Sequence, residues 1–140
     1  MSEGITEADC AYLAALIDER GTVRMRAEQR GTAIYRTIEL RFFPIAKQTI
    51  EWMRAKFKGG RSVLGLEGAE NTFVTRDAAV LCVHAYPYLI RKKIDARLVT
   101  RFAESMSEKG VRLTGDKNAI RVEVERQLEA LQARRREGKA

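Results

Sequence analysis

The stretch YLAALIDERG, Tyr12 to Gly21, decides the reading of this chain. Its first six residues are apolar or small, as in a helix that buries most of its circumference. It then closes on Asp18, Glu19, Arg20 and a glycine. A buried helix that ends in two acids and an arginine carries charge to one defined place, so its surroundings matter. Upstream, Thr6 with Asp9 has the spacing of a capping box, which starts the helix near residue 6. Gly21 has the character of a helix C-cap.

Working outward, TVRMRAEQR alternates with period two, so it predicts a strand with Val23, Met25 and Ala27 on one face. Arg24, Arg26, Glu28 and Arg30 take the other face. Gly31 marks a turn. In AIYRTIELRFF, Ile34, Ile38, Leu40 and Phe42 form a buried face, and Tyr35, Thr37, Glu39 and Arg41 an exposed one. Arg36 breaks the alternation near the hairpin end. Pro44 is expected to open a helix, with Ile45, Ile50, Trp52, Met53 and Phe57 as core candidates and Gly59-Gly60 as its stop. A second hairpin is expected over SVLGLEG and TFVT, turning at Ala69 to Asn71. Leu64 and Leu66 are apolar on one of its faces, and either face remains open as the polar one.

A helix is expected from Arg76 or Asp77 through AAVLCVHA, interrupted by Pro87. A further helix is expected over LIRKKIDARLVTRFAESM. Gly110 and Gly115 punctuate a loop. Lys117 to Arg136 predicts an amphipathic helix with the stripe Ile120, Val124, Leu128 and Leu131, and ARRREGKA reads as a frayed end with a solvated basic run at Arg134 to Arg136. The order of elements is α+β, with helices on one sheet face and the other face polar.

Composition bounds the partners. The chain has 140 residues and a formal net charge of +7, which suits a polyanionic partner. No apolar run reaches the roughly 20 residues a bilayer requires, and the acidic MSEGITEAD start lacks the basic region of a secretory leader. A membrane role is not expected; a cytoplasmic one is, nucleoid-associated if the host is prokaryotic or a phage. Cys10 and Cys82 read as buried free thiols. With one histidine and no CxxC, a zinc site is excluded. His84 reads as a packed side chain.

LAALIDERG, Leu13 to Gly21, resembles the signature of the LAGLIDADG homing endonucleases. The hairpin-helix order, the Trp52 helix leading into Gly59-Gly60, and YPYLIRKKIDA at Tyr86 to Ala96 extend the resemblance over about residues 8 to 105. It implies an αββαββα fold whose four strands form a saddle in the DNA major groove, over residues 1–105, with residues 106–140 as a C-terminal helical extension and basic tail. A single motif implies a homodimer through the motif helix, here through Tyr12, Leu13, Ala14, Leu16 and Ile17, with Ala14 and Ala15 permitting close helix approach. A two-fold dimer implies a roughly palindromic DNA site. Arg24, Arg26, Arg30 and Arg41 are then candidates for bases or phosphates, with Tyr35 and Thr37 beside them. Glu28 and Glu39 either select bases or brace the arginines.

The family's nucleases carry a metal-binding carboxylate at the motif's eighth letter, where this chain has Arg20. A guanidinium donates hydrogen bonds and cannot coordinate a cation; it attracts phosphate instead. The resemblance therefore implies a DNA-binding protein without a metal cofactor, in which Arg20, Arg91, Lys92 and Lys93 meet phosphates and the role is transcriptional regulation or repression. The enzyme alternative is an active, magnesium-dependent homing endonuclease using Glu19 and Lys92. A further alternative is an RNA-binding intron maturase.

Overall fold

The computed structural model describes residues 4–105 and 115–137. Helix α1 (Glu7–Arg20) starts at a complete capping box. The Asp9 amide donates to Thr6 Oγ1 at 3.1 Å, and the Thr6 amide to Asp9 Oδ2 at 3.0 Å, so two of the helix's orphan donors are satisfied. Strands β1 (Gly21–Arg30) and β2 (Ala33–Ile45) form the first hairpin. Helix α2 (Lys47–Lys56) follows, then β3 (Arg61–Gly65), β4 (Gly68–Val74), α3 (Arg76–Ala85), a 3-10 turn (Tyr86–Tyr88), α4 (Lys93–Glu104) and α5 (Gly115–Arg136). The strands form one antiparallel sheet in the order β1-β2-β4-β3.

The helices cover one sheet face. Val23, Leu40 and Phe73 are aligned across β1, β2 and β4, and together with Ile38 and Phe42 they are buried against α1, α3 and α4. Phe42 and Phe73 meet edge to face at 6.1 Å, a preferred aromatic geometry. Helix α5 adds Val124 and Leu128 to this same core, as its apolar stripe predicts, so the C-terminal extension completes the core.

Several local expectations are corrected. Gly21 caps α1 without a left-handed conformation: its φ is −86° and it is already the first residue of β1. Glycine is needed for space, because a Cβ there would lie 2.8 Å from the Ile17 carbonyl oxygen. Pro44 does not open a helix. It lies within β2, after a cis Phe43–Pro44 bond, where the register with β4 shifts between Phe42 and Ile45, a bulge site compatible with proline. The second hairpin turns at Leu66–Glu67, between Gly65 and Gly68, rather than at Ala69 to Asn71. Gly59 and Gly60, both at φ 89°, do end the α2 segment. Ile34 is 55% exposed rather than buried, because the first hairpin runs past the helices that cover its base. Arg36, on the core side, is answered from α5: its Nε donates to Glu125 Oε2 at 2.6 Å.

Helix α4 begins at Lys93 rather than at Leu89. Met106 and Gly110 lie outside the described residues. Cys10 and Cys82 are free, Cys82 buried and Cys10 half-buried, and burial pushes the Cys82 thiol up to about 12. His84 packs between the Phe57 ring and Cys10 Sγ. Trp52 is half-buried, edge-on to the Tyr12 ring at 4.7 Å.

Candidate nucleic-acid interface

Residues opposite one another in an antiparallel ladder share a face. The register therefore assigns the polar face of the sheet. Thr22, Arg41, Thr72 and Arg61 form one row across all four strands. Arg24, Glu39 and Val74 form the next, and Arg26 with Thr37, then Glu28 with Tyr35, continue along the first hairpin. Val63 opposite Glu70 lies on the same face. The second hairpin is thereby oriented: Arg61 and Val63 belong to the polar face, while Leu64, opposite buried Ala69, borders α2 on the other. Leu66 lies at the exposed turn.

Four arginines of this face are held by acids. Glu39 is buried, its side chain only 8% exposed, and it accepts from Arg24 Nε at 2.6 Å and Arg26 Nη1 at 3.5 Å. Arg41 pairs with Glu70 at 2.6 Å and lies 4.7 Å from the Phe43 ring. That bond, above all, holds the Glu70 carboxyl below its usual range. At the hairpin tip Arg30 bonds Glu28 at 3.2 Å and covers the Tyr35 ring at 5.0 Å. Glu28 and Glu39 thus brace arginines. Five guanidiniums face three carboxylates, leaving a modest positive excess. The sequence reading missed Arg61, Val63, Glu70 and Thr72: it began the hairpin at Ser62, its misplaced turn took in Glu70, and the polar face of the hairpin stayed open.

The end of α1 lies beside this face. Asp18 is buried and accepts three backbone N–H groups, from Ile90 at 2.8 Å and from Arg91 and Lys92 at 3.0 Å each. It ties the segment before α4 to the motif helix. Glu19 is exposed and pairs with Arg91 Nη1 at 3.3 Å. The Arg20 guanidinium is exposed and has no partner among the described residues. Lys92 is half-buried and its ammonium donates to the Gly21 carbonyl. Burial, foremost, pushes the Lys92 amine down; Arg135 and Arg91 add to this, and Asp95 and Asp18 oppose it. Lys93, expected in this group, is turned elsewhere: its amine lies 5.3 Å from the Tyr86 ring, over which Arg97 also sits. Among the described residues no cluster of three or more His, Cys, Asp and Glu side chains is placed to hold a metal.

Leu13, Ala14 and Ile17, expected in a dimer interface, are 0–1% exposed inside the protomer's own core and cannot form one. The outward face of α1 carries Ala11, Tyr12, Ala15 and, half-buried, Leu16. Tyr12 and Leu16 therefore remain on the accessible side, with Ala11 and Ala15 beside them. Arg135, expected in a solvated tail, bonds buried Asp95 through two contacts of 2.6 and 2.7 Å. No helix among the described residues is long and apolar enough to cross a membrane.

No protein-family model matches the sequence, and a search of curated proteins returns no match. Solved structures do match. The homing endonuclease I-CvuI, in complex with its target, superposes with a TM-score of 0.69 at 18% identity, over 89% of this chain and 82% of that one. I-TnaI gives 0.60 at 16% identity, over 91% and 96%. The archaeal intron-encoded I-Vdi141I, complexed with DNA, gives 0.61 at 11% identity, over 89% and 98%. These likenesses extend over nearly the whole chain: the chain has the fold of the LAGLIDADG homing endonucleases.

Proposed function

We propose that this chain is a sequence-specific, double-stranded DNA-binding protein that acts as a homodimer on a roughly palindromic site and regulates transcription by occupying it. I-CvuI and I-Vdi141I are bound to DNA in the structures that this fold matches. The polar face, with its arginines braced by acids, offers donors for guanine. The outward face of α1, with Ala11, Tyr12, Ala15 and Leu16, is the natural dimer contact.

The observation that carries the non-nuclease part of the reading is the state of the three charged groups at the end of α1. Asp18 is consumed by three backbone amides, Glu19 is engaged with Arg91, and Arg20 is a cation. A hard divalent cation needs several free oxygen donors, and of these three side chains only Glu19, bonded to Arg91 through one oxygen, offers one, beside the Arg20 cation. They suit phosphate instead, with Arg20 and Lys92 as anchors.

The test is selection of bound duplexes from a randomised pool with the full chain in EDTA, followed by magnesium or manganese. A roughly palindromic consensus that stays intact in both metals is the expected result, and Arg20→Asp on the same consensus then asks whether one carboxylate brings back cleavage. Double-strand cuts by the unmutated protein would assign a nuclease using Glu19 and Lys92. Failure to enrich any duplex rejects specific DNA binding and sends the selection to RNA.

A further inference from the structure

Helix α3 shows an apolar crest to solvent. Arg76, Val80, Val83 and Pro87 follow one another along its outward side at helical spacing, while Ala78, Leu81, Cys82 and Ala85 take the buried side. Val80 is 49% exposed and Val83 63%. A β-branched residue at a solvent-facing helix position has neither propensity nor packing in its favour. A groove runs along each flank of the crest. The first, of about 410 Å³, lies against α4 and is walled by Val83, Tyr86, Pro87 and Arg97. The second, of about 210 Å³, lies toward the end of α2 and is walled by Ile5, Phe57, Lys58, Val80 and His84. Arg97 is fixed at the rim of the first: its Nη2 donates to the Tyr86 hydroxyl, and Lys93 and Arg97 lie 5.3 and 5.7 Å from the Tyr86 ring. Lys58, Arg76, Lys93 and Arg97 are exposed and have no carboxylate partner among the described residues. The carboxylates lining the two grooves are Asp77 and Glu104, so cations are in excess around the crest.

We propose that the crest of α3 and its two grooves dock an acidic, amphipathic helix of a partner protein, with apolar side chains on Val80, Val83 and Pro87 and carboxylates on Lys58, Arg76 and Arg97. An exposed apolar strip rimmed by polar residues marks an interaction surface, and an amphipathic helix laid along a groove is a recurrent way of covering one. The excess of cations selects acidic side chains around the apolar stripe. A second copy of this chain is disfavoured, because the chain carries +7 and would bring the same cations to the contact. A nucleic acid would meet the cations but leave the valines uncovered. The crest lies on the helical side of the sheet, away from the polar face, and shares no residue with the outward side of α1. A duplex on the polar face therefore leaves it open.

The test uses the full chain and a displayed library of helical peptides, with apolar residues fixed at i, i+3, i+4 and i+7 and the remaining positions randomised. Asp and Glu should be enriched at the randomised positions. Anisotropy titration of one enriched peptide should then show saturable binding that weakens with salt and falls at least about tenfold in Val80→Ser/Val83→Ser. Both valines are exposed, and an unchanged unfolding midpoint shows that the variant keeps the fold. In Lys58→Gln/Arg76→Gln the affinity should fall and its dependence on salt flatten. A library that yields no binder, or only basic ones, overturns the proposal. So do acidic peptides that bind the valine variant as tightly as the parent, since they sit elsewhere on a basic chain. Displacement of the peptide by a hairpin RNA whose own affinity falls in the valine variant gives the face to nucleic acid, and self-association lost in that variant gives it to a second copy; either result overturns the assignment. No arm uses duplex DNA, so failure here is distinguishable from failure of the DNA-binding reading.

Discussion

Asp95 and Arg135 are forty residues apart and bonded twice, at 2.6 and 2.7 Å, with the Asp95 side chain only 2% exposed. This pair docks the last turns of α5 onto the start of α4. Removing one partner leaves a buried charge uncompensated, which costs about 3–5 kcal/mol. Arg135→Met should therefore lower the urea midpoint sharply, and adding Asp95→Asn should restore part of the loss. A double-mutant cycle in urea measures both; strict additivity would show that the pair is not coupled.

Asp18 gives a second prediction. Its carboxylate holds three amides, so Asp18→Ala strands donors that are part-buried. We expect a loss of about 3 kcal/mol, with amide exchange accelerated most at Ile90, Arg91 and Lys92. Uniform acceleration across the chain would mean that Asp18 supports global stability without anchoring this segment.

At Gly21 the obstacle is steric. A Cβ would lie 2.8 Å from the Ile17 carbonyl oxygen and 2.9 Å from its Cα, both backbone atoms with little room to move. Gly21→Ala should destabilise by about 1–3 kcal/mol, although its backbone angles suit alanine. A neutral thermal unfolding midpoint would contradict the close approach of helix end and strand.

Acid titration offers a fourth test. Glu123 is held down to about 2 by bonds from Arg126 and then Gln127, and Glu70 lies below its usual range because of Arg41. For a carboxylate depressed on folding, the stabilisation is full above the unfolded value of 4.5 and disappears as pH falls through the folded value. Glu123→Gln should therefore be less stable than the parent at pH 6, with the gap closing between about pH 4.5 and pH 2. A gap independent of pH would rule out the ionised pair as its source.

Val63 tests the DNA-binding reading at one base. It is 55% exposed on the polar face, opposite Glu70. An apolar side chain there suits a thymine methyl group. Val63→Asn should shift the selected consensus at one outer position per half-site, by about 1–3 kcal/mol in discrimination. An unchanged consensus would remove Val63 from the readout.

Much of the fold is legible in the sequence because its signals are local. The capping box at Thr6 and Asp9, the alternation of β1 and β2, and the stripe of α5 each rest on a short-range periodicity. The errors arise where distant parts decide. Pro44 has the marks of a helix start, but pairing with β4 carries β2 past it. Ile34 fits the buried alternation, yet no helix reaches the hairpin tip. Leu13, Ala14 and Ile17 look like any apolar helix face; which side meets the sheet depends on β2 and α3. Arg135 reads as tail charge until α4 brings Asp95 beneath it. At the site, the alternating arginines are plain in the sequence, whereas Glu39's burial beneath two of them is not.

That burial has an evolutionary consequence. Arg24 and Arg26 share a single carboxylate, so neither changes alone: a substitution at one releases Glu39 to the other and alters its reach. Their effects on base preference should be epistatic rather than additive. On the proposed DNA-binding reading, a shift in target sequence through these two arginines would then come in paired steps, and intermediates carrying one change would recognise neither the old site nor the new one well.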